Sequence, residues 1–351
     1  MKRKIVKCCL LTMSLVLISL FSFGQKKNLR QYYYWTNQAE LAICDSNYAT
    51  ANACYDKAFA LKIPFAKDLL SAYLLNLKLT HDVDKIETYA KYLVQCGDSE
   101  LSERYASECE VDSQVYKLLQ FIETNYHSLC DTALQHSLDE ILEKDQSYRH
   151  GRGLNAFEDS MNHAIIRDIK GLSDRYKINI QTTGIYHLYN LHAPAIHYVR
   201  AELHDLQDLF KEHVLKGNIG ADMYMRLEDE YLLVIENNKE TDELKDPNGY
   251  GQGQFYFYQI GGTVFITYPT NIKMVNKHRK ALGLSETFED LVKKVSWEYT
   301  HNIMRWHSIT IRRYGDENED NAEKENLKKE IDEEHAAGDF HRMYFDESVR
   351  K

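Results

Sequence analysis

Residues 48–61 read Tyr-Ala-Thr-Ala-Asn-Ala-Cys-Tyr-Asp-Lys-Ala-Phe-Ala-Leu, and the fold prediction starts from this stretch. Ala51 and Ala58 recur with Tyr55 at the spacing of one helical face. Small residues there allow a second helix to approach closely, while the tyrosine rings fill the groove between the two helices. Asp-Ser-Asn at 45–47 supplies a turn in front of this helix, so the chain is predicted to form a helical hairpin here.

This hairpin resembles the second half of a tetratricopeptide repeat, and a looser pair of helices follows over 68–79 and 83–94. Gly97 then ends the region in the manner of a helix C-cap. The resemblance implies a tetratricopeptide-like helical region over 26–110, with a groove that binds proteins or peptides. A plain helical bundle with Ala and Tyr at its contact positions would show the same pattern.

Downstream of Val115 the apolar residues again follow helical spacing. The clearest helix is predicted over 195–216, where leucine, isoleucine, valine and phenylalanine form one stripe. Pro194 stands at its predicted start and Gly217 just past its end, which is the usual placement of these two residues around a helix.

Several polar residues lie on apolar helix faces in this central region. The stripe 138–142 continues into Asp145 and Arg149, Asn162 shares a face with isoleucines, and Asp229 is in register with leucines. Burying such groups costs free energy unless each finds a partner. The set is therefore either a satisfied structural network or a site, and a simple ion pair is the plainer explanation for Asp145 and Arg149.

The same residues resemble a bacterial domain of unknown function, family 6624, over about 140–295. By motif, the recurring positions of that family fall on Asp145, Gln146, Arg149, His197, Asp229, Tyr250, Gly251 and Gln254. Two positions depart from the family pattern: Glu230 stands where arginine is usual, and Ile196 precedes His197 where glutamine is usual. The resemblance implies no known activity.

We define the candidate polar cluster from both arguments together. Its members are Asp145, Gln146, Arg149, Asn162, His197, Asp229, Tyr250 and Gln254. If these side chains line one pocket, His197 is the natural proton-transfer group, and Arg149 is an anchor for an anionic substrate.

Nine of the fifteen histidines fall between His127 and His213, which raises the question of a metal site. Their spacing does not form a recognised ligand motif, since HExxH and CxxC are both missing from the sequence. No GxSxG element is present either. We therefore predict no metal and no cofactor, and we interpret most of the histidines as exposed or hydrogen-bonded beside the core.

Aromatic and β-branched residues flank Gly261-Gly262, which predicts a β-hairpin over 254–268 that must lie on the helical body. The hairpin belongs to a helical domain predicted over 111–314. Beyond it, residues 315–351 form a charged C-terminal tail rich in acidic side chains, which indicates a solvated helix or disorder.

The N-terminus predicts export. Residues 1–24 combine a basic start, an apolar run and small residues near the end, as in a cleavable signal peptide, although an uncleaved anchor is the alternative. Cleavage removes four cations and no acid, which takes the formal charge from −10 to −14. Such an acidic chain disfavours nucleic-acid binding. An oxidising compartment permits disulfides, and Cys44–Cys54 is the favoured pair if one forms.

Together these patterns predict a mostly α protein: tetratricopeptide-like helical hairpins, then an α-helical domain with one β-hairpin. The first functional hypothesis is an exported, periplasmic or secreted module that binds a protein or peptide, without a membrane span once the signal is cleaved. The alternative is an uncharacterised enzyme or small-ligand-binding protein that uses the candidate polar cluster in the 145–254 region.

Overall fold

The computed structural model confirms a mostly α fold with one small sheet. The residues that it describes are 26–104, 112–147, 156–200, 205–237, 256–260, 263–269, 271–301, 312–314, 321–338 and 342–345. The predicted signal peptide lies outside these residues. No helix among them combines the length and apolarity needed to cross a membrane.

Four helices build the N-terminal region: α1 over 26–44, α2 Tyr48–Phe59, α3 Ala66–Leu75 and α4 Val83–Gln95. Asn47 and Asp82 cap α2 and α4 by accepting hydrogen bonds from backbone N–H groups of the first turn. A five-residue π-helical segment, Asn76–Thr80, prolongs α3. The helices therefore begin where the turn residues in the sequence predict them.

Among the described residues, six helices of eleven residues or more follow before the sheet: α5 Ser113–Asn125, α6 Thr132–Ser147, α7 Ala156–Arg175, α8 Ile185–Arg200, α9 Asp205–Leu215 and α10 Ala221–Asn237. The predicted start at Pro194 is wrong, because this proline lies inside α8. Gly184, with a φ of 88°, ends a short turn and lets α8 begin at Ile185 instead. Gly217 does follow the end of α9.

One hydrophobic core joins the N-terminal and central helices. Tyr32 and Leu69 belong to the same cluster of buried side chains as Ile165, Phe210 and Leu227. The Tyr33 hydroxyl accepts the backbone N–H of Ala221 at 3.1 Å. The inner face of the N-terminal hairpins is thus covered by the chain itself, so a groove for a peptide would have to use another face.

Four strands of the described residues form the sheet, in the order β3-β1-β2-β4: β1 Phe257–Ile260, β2 Thr263–Thr267, β3 Arg312–Tyr314 and β4 Arg342–Phe345. The first two form the predicted antiparallel hairpin. Helices α11 Ile272–Ala281, α12 Phe288–His301 and α13 Asn321–Ala336 surround it. The acidic C-terminal segment contributes both α13 and β4, which pairs antiparallel with β2.

The anticipated Cys44–Cys54 disulfide is not formed, and both residues are free thiols. Cys54 is buried on α2, whereas Cys44 at the end of α1 faces Lys293 and Lys294 of α12. The two side chains therefore point towards different neighbours. Burial raises the pKa of both thiols, which favours their unreactive protonated form.

Candidate functional site

Asp145 is the centre of the candidate site. It lies in the last turn of α6 on the same face as Leu134, Leu138 and Ile141, and this spacing turns its carboxylate towards the core. Its exposed fraction is 0%. The apolar stripe that buries α6 therefore also buries a carboxylate, which requires polar partners.

In the described part of the chain, three side chains contact this carboxylate. His197 Nδ1 lies 2.8 Å from Asp145 Oδ2, and the Tyr198 hydroxyl donates to Asp145 Oδ1 at 3.2 Å. The Gln146 side-chain amide donates to Oδ2 at 2.8 Å. Both oxygens of the carboxylate are thus hydrogen-bonded, and His197 and Tyr198 approach from one turn of α8.

The residue numbers of the contacting pairs increase in the same direction along α6 and α8, so the two helices run parallel. Gln135 donates to the carbonyl of Thr183, just before α8, at 3.2 Å. Four residues further along, Asp139 faces His187 at 3.3 Å. At the far end of the same interface lie Asp145 and His197, which makes two aspartate–histidine pairs on one helix pair.

The geometry of Asp145 and His197 suits proton transfer. An imidazole that donates its Nδ1 proton to a carboxylate keeps Nε2 able to accept one. The side chain of His197 is 25% exposed, so it connects the buried carboxylate to solvent. A buried acid, an oriented imidazole and solvent access are the elements of a general acid–base pair.

The remaining members of the candidate polar cluster divide into two groups. Asn162 and Asp229 are buried, on α7 and α10. Helix α7 packs against α6, and α10 packs against α8, so both residues belong to the helices around the pair. Arg149, Tyr250 and Gln254 lie outside the described residues.

His192, on the same helix as His197, has a different environment. It is buried, its Nε2 lies 2.9 Å from the carbonyl oxygen of Met223, and its ring lies 5.9 Å from that of Phe210. Burial and the nearby Arg226 lower the pKa of His192 to about 3. His192 is thus a neutral core histidine, whereas His197 contacts a carboxylate.

Sequence reasoning did not include Tyr198 in the site, although it follows His197 directly. The residue completes an apolar stripe of α8, and only the packing of α8 on α6 turns its hydroxyl into a partner of Asp145. Asp139 and His187 were not singled out as a pair either. Among the described residues, no group of three or more histidines, cysteines and carboxylates is arranged to hold a metal ion.

A second polar cluster ties the N-terminal region to the C-terminal helices. We call it the buried ionic network, and its members are Glu40, Lys67, Asp68, Arg279, Glu286 and Lys294. The Lys294 ammonium contacts Glu40 and also Glu286, and Lys67 lies 3.3 Å from Glu40. All of these residues except Arg279 line a small cavity beside Tyr33, so burial and ion pairing here connect segments that are far apart in the chain.

No protein-family model matches the chain, and no curated protein or solved structure shows significant similarity to it. The resemblance to the bacterial domain of unknown function, family 6624, stays a prediction from the motifs.

Proposed function

We propose that the protein is an enzyme that acts on small molecules and in which Asp145 and His197 act as a general acid–base pair. The observation that carries the proposal is the 2.8 Å contact between His197 Nδ1 and the fully buried carboxylate of Asp145. In this arrangement Nε2 of His197 takes a proton from water or a substrate hydroxyl, and Asp145 stabilises the imidazolium that forms.

The surroundings of the pair support a role beyond packing. Tyr198 and Gln146 hold both carboxylate oxygens, so Asp145 cannot rotate away without losing hydrogen bonds. His197 is partly exposed, in contrast to His192, which is buried against a carbonyl oxygen. A histidine with a purely structural role has no need of solvent access, whereas a proton-transfer group does.

The reaction class can be tested with chromogenic substrates. Purified protein is assayed with p-nitrophenyl esters, phosphates and glycosides, alongside His197→Gln, Asp145→Asn and the control His136→Gln, which changes an exposed histidine on α6. We expect turnover of one class, a loss of about 10²–10⁴-fold in kcat with His197→Gln, and no change with the control. Equal turnover by His197→Gln and the wild type would contradict the proposal.

The binding-module hypothesis is the second candidate, and one surface feature favours it. Tyr34 is 47% exposed, its ring lies 4.9 Å from that of Trp35, and the Lys57 ammonium lies 4.2 Å from the Trp35 ring. Exposed aromatic rings beside a cation are frequent contact residues of protein partners. A partner that binds this surface does not need the inner face of the hairpins, which the chain itself covers.

Point variants test the binding-module hypothesis better than removal of residues 26–97, because that deletion would strip the shared core. Tyr34→Ser and Lys57→Ser are compared with the wild type as baits in an extract of exported proteins. We expect both variants to lose the same specific partner. An unchanged partner profile would contradict the hypothesis. Export itself, through the signal peptide predicted over 1–24, belongs to this proposal and is tested by cell fractionation.

A further inference from the structure

A cavity of about 490 Å³ opens between loops that join helices far apart in the chain. Its walls come from the start of α1, from residues 61–64 after α2, from residues 177–179 before α8 and from residues 216–218 after α9. This volume falls within the range of about 300–1,000 Å³ that is usual for small-molecule sites. Because four segments meet here, the cavity is a product of the tertiary fold.

Three lysines line the cavity: Lys62, Lys177 and Lys216, one from each of the three loops. Lys216, just after α9, forms an ion pair with Glu212 in the last turn of this helix, on an exposed surface. Within the described part of the chain, no carboxylate lies within 4.0 Å of the ammonium of Lys62 or Lys177. The formal charge of the whole chain is −10, so this is a local concentration of positive charge on an acidic protein.

Lys62 is held in place at the cavity wall. Its ammonium lies 3.5 Å from the centre of the Phe65 ring and 4.5 Å from that of Tyr32, and it donates to the carbonyl oxygen of Ile63. Its stem lies against Gly217, where a Cβ would come within 3.7 Å of Lys62 Cε. The ammonium is therefore pre-positioned, so little side-chain freedom remains to be lost when an anion binds.

The lowered pKa of Lys62 is consistent with a site that favours a bound anion. The pKa of Lys62 is lowered to about 7, chiefly by burial; Asp68 opposes this shift, and Lys177 contributes to it. A lysine with such a pKa carries its charge at a cost unless an anion lies beside it. An anion beside it would remove that cost and hold Lys62 in its charged form.

We propose that this cavity binds a compact multivalent oxyanion, a short carbon skeleton that carries phosphate or carboxylate groups. Lysines act as point charges without the planar fork of arginine, so they suit several charged groups on one ligand better than one bidentate carboxylate. Apolar side chains of Leu29, Leu61 and Ile63 line the same cavity and offer contact to the carbon skeleton.

The anion site is separate from the Asp145–His197 pair, so it does not depend on the proposed function. Asn179 lies before the start of α8 at Ile185, whereas His197 lies twelve residues into this helix. That separation corresponds to about 18 Å along the helix axis. The two sites can therefore fail or succeed independently in experiments.

Calorimetric titration of the purified protein tests the proposal, with pyrophosphate, citrate and uncharged glycerol as probes. We expect saturable one-to-one binding of pyrophosphate, citrate or both, and none of glycerol. The stronger of the two anions identifies the preferred charged group. A protein that binds none of them saturably would overturn the proposal.

Substitutions locate the binding. Lys177→Gln removes an exposed lysine of the cavity, Lys62→Met keeps the stem without the charge, and Lys273→Gln makes the same charge change on the exposed side of α11. We expect the first two to weaken binding about tenfold or more and the third to leave it unchanged. Equal losses in all three would indicate non-specific attraction, and no loss with Lys177→Gln would place the anion elsewhere; either result would overturn the proposal.

Discussion

Lys294 of α12 donates a hydrogen bond to Glu40 of α1, and both side chains are buried. The same ammonium donates to Glu286 at 2.8 Å. This contact joins residues 254 positions apart in the sequence, and it connects α1 to α12. Burial lowers the pKa of Lys294, but Glu286 and Glu40 together outweigh burial and raise the pKa, so Lys294 remains charged.

Removing one partner of this buried contact should destabilise the protein strongly. Lys294→Met removes the cation that Glu40 and Glu286 share and leaves them with Lys67 and Arg279 alone. Removing one partner of a buried ion pair costs about 3–5 kcal/mol. Urea unfolding measures the loss. The matched control is the neighbouring Lys293→Met, because the Lys293–Asp45 pair is exposed and should contribute less than about 1 kcal/mol. Similar losses in both variants would show that burial does not set the strength of this contact.

Asp68 should make stability depend on pH. It accepts a hydrogen bond from Tyr32 at 2.6 Å. Burial raises the pKa of Asp68 to about 6; Lys67 lowers it, whereas Glu40 and Asp222 raise it. An unfolded aspartate is protonated only near about pH 4, so the folded chain binds the proton first and the free energy of unfolding rises as pH falls through this window.

The variant Asp68→Asn isolates this contribution, since the amide keeps the size and an acceptor for Tyr32. We expect the wild type to gain roughly 2–3 kcal/mol relative to Asp68→Asn between about pH 7 and pH 4. Urea unfolding at several pH values provides the measurement. A difference between the two proteins that does not change with pH would contradict the raised pKa.

His192 should stay neutral over the physiological pH range. Burial and Arg226 lower its pKa to about 3, whereas an unfolded histidine titrates near about 6.5. Below about pH 6.5 the unfolded chain binds a proton at His192 that the folded chain does not bind, so the free energy of unfolding falls as pH falls. NMR of the imidazole signals checks the expectation, with the protein in concentrated urea as the reference. Titration of His192 near neutral pH in the folded state would refute it.

The helices and the buried position of Asp145 could be predicted, because local spacing carries both pieces of information. An aspartate that continues the stripe of Leu134, Leu138 and Ile141 is buried with it. The partner His197 could not be assigned to Asp145 by spacing, since their contact depends on the parallel packing of α6 and α8.

Two other features show where local patterns stop. Pro194 was expected to start a helix because proline favours the first turn, yet α8 already runs from Ile185, and the proline lies in its interior. Strand β4 lies in the C-terminal tail, for which the composition predicts a solvated helix or disorder, and its pairing with β2 is set by contacts remote in sequence. Similarly, the anion cavity unites loops that no repeat or motif relates to one another.

Gly217 offers a test of the loop geometry around that cavity. Its φ is +71°, a conformation that alanine rarely adopts, and an added Cβ would lie 3.3 Å from Leu29 Cδ1. We expect Gly217→Ala to lower the free energy of unfolding by about 1 kcal/mol or more and to weaken anion binding, because Lys62 lies against the same position.

The matched control for that variant is Gly171→Ala on α7. Gly171 has no neighbouring atom within 4 Å of an added Cβ. Alanine inside a helix restricts the unfolded chain, so this variant should gain about 0.5–1 kcal/mol by urea unfolding. Opposite signs for the two alanines would assign the loss at Gly217 to its left-handed backbone and close contacts. A stabilised Gly217→Ala protein would mean that the loop relaxes freely. This result would contradict the pre-positioning of Lys62 at the cavity wall.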